Sequence, residues 1–515
     1  MSGTLGTSVR HPVPLLRPLP SPASSRGRPG VRPRPCRPHR PAISPTADAG
    51  HPAHSSSAAR PPHRPRVETA PTASRNGALH RSMKGPYGMD SESPGSSGAS
   101  QGRETLPSLT GLRWVAAFLV FGLHFTALQL GTPLGAPAPS AIDEGVLDVF
   151  GTGFIGVSFF FVLSGFVLTW STPTDRPALL FWRHRFAKVF PVYVAASVLA
   201  VVLTFVSMDI WPSWRTTLAH AFLLQAWIPD QSYVFGLNPV MWSLSAEAFF
   251  YLCFPALLVV LVRASTRALY VTGAVCVALT LGGPTLVGRV FTLKTPEPTP
   301  IVPMEGYDSQ FMLWFTEVFP MMRLTEFVVG IVVALLVRRG AWRGPNAHVA
   351  LAICVVAFVL NRELPEPLQR AAGMLVPFAL LIAAMANADR EGRWTPFRGR
   401  TMVFLGKISF CFYAVHMVLI LNTLGRIRPW LVDLGLLSRP DQALPAWGVL
   451  GCLVVYALVA GVAAWVLYRC VEVPMTRLIR GRPQTAKPQP SDRPDAEGPD
   501  EEGADAERRV GSSTA

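Results

Sequence analysis

Long apolar segments recur along most of this chain, and charged residues lie mainly between them. A helix that crosses a lipid bilayer needs about 20 consecutive, mostly apolar residues. A further apolar piece, residues 218–228, is too short to cross comfortably and predicts a re-entrant segment. The longer segments predict an all-α integral membrane protein with about ten transmembrane helices, at residues 107–129, 148–170, 189–207, 241–262, 268–288, 313–337, 347–361, 371–387, 402–424 and 446–468.

The distribution of basic residues between the predicted spans indicates how the protein is oriented. Cytoplasmic loops of membrane proteins carry an excess of Lys and Arg. With ten spans and a cytoplasmic N-terminus, the basic loops at 176–188, 263–267, 338–343 and 390–400 all fall on the cytoplasmic side. If residues 218–228 crossed the membrane, the loop at 263–267 would fall outside. The pattern therefore predicts ten spans with both termini in the cytoplasm.

The two ends of the chain differ in composition from the hydrophobic body between them. Residues 1–104 are rich in Pro, Arg, Ser, Ala and Gly without apolar periodicity, which predicts a disordered arm. Residues 481–515 predict a disordered tail. A single membrane domain is therefore expected at residues 105–480. An alternative interpretation of the arm is that translation starts downstream, at Met83 or Met89.

Composition supports the membrane assignment and indicates which classes of partner the protein lacks. Hydrophobic residues make up 49% of the 515-residue chain and charged residues only 15%, and the net charge is +15. The basic arm alternates arginine with proline and has almost no aromatic residues, so we expect no nucleic-acid partner; a regulatory role for the arm is an alternative. The seven cysteines form no CxxC pair and no His/Cys cluster, so no metal site is predicted. The expected location is the lipid bilayer of the cell membrane, as a multi-pass protein of the bacterial cytoplasmic membrane.

Arg113 and His124 are ionisable residues within the first predicted span. Eleven positions correspond to three helical turns plus about 20°, so both side chains share one face and lie roughly 16 Å apart along the axis. Such residues usually face a functional cavity, although a snorkelling Arg and a His bonded to a neighbouring helix are the structural alternative. In the predicted orientation Arg113 can hold a phosphate-bearing donor at the cytoplasmic mouth, and His124 can take a proton farther in. A long donor such as acyl-CoA fits that spacing.

Polar residues of the next three segments admit both structural and chemical interpretations. The basic loop FWRHRFAKVFPVY, residues 181–193, can bind anionic lipid or clamp a phosphorylated donor. Ser164 is interpreted as a packing residue and not as a nucleophile, because no base lies within a turn of it. Glu247, a few residues into an aromatic-rich span, is either paired with an Arg or functional.

Two later spans also carry ionisable residues. Arg323 and Glu326 are three positions apart on one helical face, so they can neutralise each other. His416 lies on an apolar face. We interpret it as a hydrogen-bonded core histidine; a catalytic role is the alternative.

Six sequence motifs, taken in order, resemble those of the membrane acyltransferase-3 family, ten-span O-acyltransferases that modify sugars and glycosylated metabolites. The resemblance extends over residues 105–478 and implies transfer of an acyl group, usually from cytosolic acyl-CoA, to a hydroxyl. It also implies that Arg113 and His124 are the essential Arg and His of the family's first span. The motifs read GLRWVAAFLVFGLHF, GVSFFFVLSGF, RFAKVFPVY, MWSLSAEAFFYLCFP, RLTEFVVG and LGKISFCFYAVH.

Two of these motifs depart from the family pattern. The family's R-x-x-R motif corresponds to Arg185 and Lys188, and lysine lacks the bidentate fork of a guanidinium. The family's W-S-L-x-x-E motif corresponds to Trp242 through Glu247, and Ala248 stands where a second acidic residue is usual.

We therefore expect an integral membrane O-acyltransferase in which His124 is the general base and Arg113 holds the donor or stabilises the oxyanion. Glu247 is expected to orient a basic group or the acceptor, which is a sugar, a polysaccharide or a glycosylated small molecule. An alternative from another class is a transporter of an anionic or acylated solute, which would also explain charges inside the membrane. The phosphates of acyl-CoA are expected to be bound by three basic residues of one loop: Arg183, Arg185 and Lys188.

Overall fold

The computed structural model describes residues 105–127, 149–290, 310–364, 366–369, 372–435, 438–439 and 446–480. All of them lie within one compact unit. Helices and loops make up this described part of the chain. The arm and the tail that the sequence predicts to be disordered lie outside the described residues.

Long helices coincide with the predicted spans, so the all-α membrane fold is confirmed. Eight helical segments of the described part are long and apolar enough to cross a membrane. The helices that we number α2 and α7 are shorter, with 17 and 14 residues. The orientation with both termini in the cytoplasm stays a prediction. The long helices are α1 (Pro107–Ala127), α2 (Ile155–Ser171), α3 (Ala178–Met208), α4 (Trp242–Arg263), α5 (Thr266–Val290), α6 (Pro320–Arg338), α7 (Ala347–Leu360), α8 (Ala372–Arg390), α9 (Arg400–Asp433) and α10 (Ala446–Leu467).

Short helices connect several of the long ones. The apolar piece 218–228 is divided between two of them, so it does not form a spanning helix. Leu223 lies at the break with a φ of 56°, in the left-handed region that an α-helix cannot contain. The short helices are Trp214–Ala221, Gln225–Trp227, Gln231–Val234, Gln310–Leu313, Trp314–Val318, Asn361–Glu363, Glu366–Gln369, Tyr468–Glu472 and α11 (Val473–Arg480).

Helix α2 buries most of its side chains and packs closely against α6. Two glycines make this approach possible. A Cβ atom on Gly165 would collide with the carbonyl oxygen of Phe327, and one on Gly330 would collide with that of Val162. Small residues at helix crossings let backbones touch, which is how transmembrane helices gain packing energy without a hydrophobic driving force.

Helix α1, which carries Arg113 and His124, packs against α2 and α9 and is anchored at its N-terminus by α8. Asp389 of α8 accepts a hydrogen bond of 2.8 Å from the Ser108 backbone N–H and one of 2.6 Å from the Ser108 hydroxyl. A carboxylate at this position satisfies an N–H group that has no partner within the helix and complements the positive end of the helix dipole. The contact therefore sets the position of the first turn of α1.

Candidate functional site

Five helices, α1, α2, α3, α4 and α9, surround one cavity with about 880 Å³ of space free of protein atoms, part of it open to the exterior. Phenylalanine, valine and leucine side chains form much of its wall. Four of the six residues predicted from the sequence to act in the site line this cavity. The polar lining residues are Arg113, Ser164, Arg185, Lys188, Ser243, Glu247, Tyr251 and Tyr413.

The basic end of the cavity is formed by Arg113, Arg185 and Lys188. Arg185 and Lys188 are three residues apart on α3, so they point to the same side of the helix. Arg113 lies within electrostatic range of both. The carboxylates that interact with this group are Glu247 and Glu472. Three cations facing two carboxylates leave a positive field, which attracts anions such as phosphate.

The Arg185 side chain has an unsatisfied donor. Its Nε atom is buried, and no residue of the described ranges accepts a hydrogen bond from it. Its guanidinium lies over the Phe181 ring at 5.7 Å from the centroid. A buried donor without a partner requires an explanation, and an anionic ligand in the cavity is one.

Glu247 is held in a small network on the cavity wall. Ser164 Oγ donates a 2.8 Å hydrogen bond to Glu247 Oε1, and the Tyr251 side chain is hydrogen-bonded to both residues. The sequence contains no base within a helical turn of Ser164, but tertiary packing brings this carboxylate from α4. The contact is what the sequence interpretation of Ser164 missed.

His124 does not line this cavity; it contacts His416 of α9. The distance from His124 Nδ1 to His416 Nε2 is 2.9 Å, and that from His416 Nδ1 to the Phe412 carbonyl oxygen is 3.2 Å. His416 is fully buried, whereas His124 is half-buried. The structure therefore places His416 as a bonded core histidine, as interpreted from the sequence, and its partner is the predicted base.

Tyr413 adjoins both the cavity and the histidine pair. Its ring centroid lies 5.8 Å from that of His416, while its hydroxyl contacts Ser243 Oγ at 2.9 Å and the Val240 carbonyl oxygen at 3.0 Å. Tyr413 thus contacts the cavity and also adjoins His416, the partner of His124.

Arg183 is the other predicted site residue that does not line the cavity. Its Nε atom donates a 2.9 Å hydrogen bond to the carbonyl oxygen of Ile479, in α11. Thr476 of the same helix donates to the carbonyl oxygen of Ala187. Arg183 therefore helps to hold α11 against α3, and its predicted role in donor binding stays a prediction.

Arg323 and Glu326 form the ion pair that their spacing predicts. The distance from Arg323 Nη1 to Glu326 Oε1 is 2.9 Å, and Arg323 Nη2 donates a 3.0 Å hydrogen bond to Ser158. A second carboxylate, Glu317, lies 3.8 Å from Arg323 Nη1. Glu317 lies within the predicted span 313–337, but six positions before Arg323 correspond to another face of a continuous helix, and the helix break before Pro320 was not predicted. None of these residues lines the cavity.

Sequence reasoning assigned no site role to Ser243, Tyr251 or Tyr413, which also line the cavity. Tyr251 follows Glu247 by four positions and Tyr413 precedes His416 by three, so helical periodicity would have identified both. Among the residues that the structure describes, no group of three or more His, Cys, Asp or Glu side chains is placed to hold a metal ion.

Comparison with known proteins adds independent information. A family model described as an acyltransferase domain matches residues 106–466. Acyltransferase MdmB of Streptomyces mycarofaciens is 34% identical over 395 residues, which cover 74% of this chain and 95% of MdmB. No solved structure matches this chain significantly.

Two further relatives match over a smaller part. Peptidoglycan O-acetyltransferase OatA of Listeria monocytogenes is 32% identical over 177 residues, 31% of this chain and 25% of that protein. O-acetyltransferase OatA of Staphylococcus aureus is 27% identical over 173 residues, again 31% of this chain and 25% of that protein.

Proposed function

We propose that this chain transfers an acyl group from acyl-CoA to a hydroxyl of a sugar or a glycosylated metabolite. It belongs to the membrane acyltransferase-3 family and is an O-acyltransferase with multiple membrane helices. The donor, the acceptor and the roles of individual residues are the substance of this proposal. We also propose that the protein lies in the cell membrane, with the basic end of the cavity facing the cytoplasm.

The observation that carries the proposal is the basic end of the cavity. Arg113, Arg185 and Lys188 come from two helices and line one space, and a buried Arg185 Nε donor has no described partner there. Phosphate groups satisfy such donors and such a field. Acyl-CoA carries phosphates at one end and a thioester at the other, and only the phosphates require cations.

The cavity is also long enough to separate the two ends of this donor. Its wall on α2 extends from Val157 to Leu168, eleven residues or about 16 Å of helix. With the phosphates near Lys188, an extended thiol arm directs the acyl group toward Tyr413. His416, the partner of His124, has its ring centroid 5.8 Å from that of Tyr413.

The reaction that we propose uses His124 as general base. His124 Nε2 takes the proton of the acceptor hydroxyl while the hydroxyl oxygen bonds to the thioester carbonyl carbon. The carbon–sulfur bond then breaks, and the leaving thiolate takes the proton back from His124. Arg113 binds the donor; stabilisation of the carbonyl oxyanion is its alternative role.

The acceptor class follows from the relatives only in outline. The Listeria relative is named for peptidoglycan, whose glycan strands carry sugar hydroxyls. MdmB matches over almost its full length, and its name states acyl transfer without naming an acceptor. The acceptor that we propose is therefore a sugar hydroxyl, on a polysaccharide or on a glycosylated small molecule, and the name of the Listeria relative supports the sugar.

The test is thioester cleavage by the purified full-length protein in lipid nanodiscs. Free CoA thiol and acylated product are measured together, with acetyl-CoA as donor and a panel of glycosides and glycans as acceptors. We expect acceptor-dependent thiol release that falls by about 10²- to 10⁴-fold in His124→Ala.

The transporter alternative makes the opposite prediction. Proteoliposomes would move an acylated or anionic solute while acyl-CoA stays intact. Flux without thioester cleavage would contradict the proposed function, as would cleavage that is unchanged in His124→Ala.

A further inference from the structure

We propose that His416 is a positioning residue that fixes the tautomer of His124, so that Nε2 of His124 is the bare nitrogen available to an acceptor hydroxyl. The inference rests on the proposed function for its catalytic consequence. The tautomer itself can be observed without any reaction.

The proton positions follow from the chain of contacts. The Phe412 carbonyl oxygen can only accept a hydrogen bond, so His416 Nδ1, at 3.2 Å, must carry a hydrogen. A neutral His416 then has a bare Nε2. Because that atom lies 2.9 Å from His124 Nδ1, His124 must donate from Nδ1. Its own Nε2 is left without a proton.

The neutral form of His416 follows from its surroundings. The side chain is fully buried, with the rings of Phe121, Phe412 and Tyr413 around it. No carboxylate of the described residues contacts either histidine ring. An imidazolium without a counter-ion in such a place would carry a large desolvation cost. The reversed arrangement, in which a charged His416 donates to His124, is therefore disfavoured.

The contact would act at two stages of the reaction. Before proton transfer it orients the His124 ring and selects one tautomer, which is the role that a third group plays beside the histidine of hydrolase triads. After transfer, the Nδ1–H of the His124 cation donates a charge-assisted hydrogen bond to His416, which stabilises that cation. His416 itself is fully buried, so it acts through His124 and does not touch the substrate.

Two substitutions separate positioning from packing. In His416→Gln an amide oxygen replaces Nε2 and can still accept from His124 Nδ1. In His416→Leu the volume is similar but this acceptor is gone, and His124 keeps only its backbone hydrogen bond to Val120 among these two contacts. We expect His416→Leu to lower kcat by about 10²-fold while the KM for acetyl-CoA stays within about twofold, because His416 does not line the donor cavity. His416→Gln should stay within about tenfold of the wild type.

Two further variants serve as controls. His220→Leu removes another buried histidine, one that bonds to the Tyr233 carbonyl oxygen and does not contact His124. It should keep its kcat per folded molecule. The double variant His124→Ala/His416→Leu should be no slower than His124→Ala alone, because a positioning residue has nothing left to position.

The tautomer is read directly by nitrogen NMR of ¹⁵N-histidine-labelled protein in bilayers, with His124→Ala to assign the signal. We expect protonated Nδ1 and bare Nε2 in the wild type and in His416→Gln, and a shift toward protonated Nε2 in His416→Leu. A wild-type His124 protonated at Nε2 would overturn the proposal even if acyl transfer is confirmed. A folded His416→Gln as slow as His416→Leu would overturn it as well. If the tautomer is as expected but no acyl transfer occurs, the proposed function alone fails.

Discussion

Ser164 Oγ donates a 2.8 Å hydrogen bond to Glu247 Oε1 and thereby joins α2 to α4 on the wall of the cavity. A serine beside a carboxylate raises the question of a covalent acyl-serine. The carboxylate is also shared with Tyr251 and lies within electrostatic range of Arg185. This pattern is that of a structural and electrostatic network, and it favours direct transfer to the acceptor.

Ser164→Ala is therefore expected to keep acyl transfer within about tenfold of the wild type, because Ser164 forms no bond to the acyl group in the proposed reaction and Tyr251 still hydrogen-bonds to Glu247. Glu247→Gln should lower kcat/KM further, by about 10²-fold, because it removes a carboxylate that faces the cations. Both are measured as CoA thiol release. Loss of all activity in Ser164→Ala, with an acyl adduct on Ser164 of the wild type in mass spectrometry, would establish the covalent route instead.

Arg113→Lys tests how the first-span cation acts. A point charge replaces a planar fork, so we expect the KM for acyl-CoA to rise about tenfold with a smaller change in kcat. Initial rates over a range of donor concentrations check this. An unchanged KM with a much lower kcat would assign Arg113 to the oxyanion and not to the donor.

Lys188 tests the phosphate assignment. Lys188→Arg restores two guanidinium groups on α3 and should preserve or raise activity. Lys188→Glu should raise the KM for acetyl-CoA by at least about tenfold, because it places a like charge against the phosphates, yet leave a short acyl thioester without the nucleotide almost unaffected. Arg267→Glu, an exposed charge reversal outside the cavity, is the matched control. Equal losses with both donors would show that Lys188 acts through folding or topology.

Asp389 is expected to stabilise the protein without taking part in the chemistry. Asp389→Ala leaves the first turn of α1 without its carboxylate partner and should cost about 1–2 kcal/mol. The measurement is the midpoint of thermal unfolding in detergent, compared with Asp433→Ala at an exposed position of α9. An Asp389→Ala midpoint equal to that of the control would show that Ser108 finds another partner.

The N-terminal arm is expected to be dispensable, because residues 1–82 are rich in Pro, Arg and Ser and lack an apolar segment long enough to span a membrane. A chain that begins at Met83 should insert into the membrane and transfer acyl groups at the wild-type rate. Inserted protein without activity would support a regulatory role for the arm.

Much of the architecture was predictable from the sequence because it depends on local spacing. The length of each apolar segment determined the helices, and the 3.6-residue period placed Arg113 and His124 on one face of α1. The same period put Arg185 and Lys188 together on α3. These relations hold within a single helix, so they do not depend on how the helices pack.

Only the tertiary structure decided which residues meet between helices. Ser164 contacts Glu247, and His124 contacts His416, because α2 packs beside α4 and α1 beside α9. Arg183 is close to Arg185 in the sequence, but it donates a hydrogen bond to Ile479 of α11 and does not line the cavity, whereas Arg185 and Lys188 do. An apolar period shows which face of a helix is buried but not which partner covers it, since many pairs of apolar faces pack equally well. The identity of the partner is set by close crossings such as the one between Gly165 and Gly330.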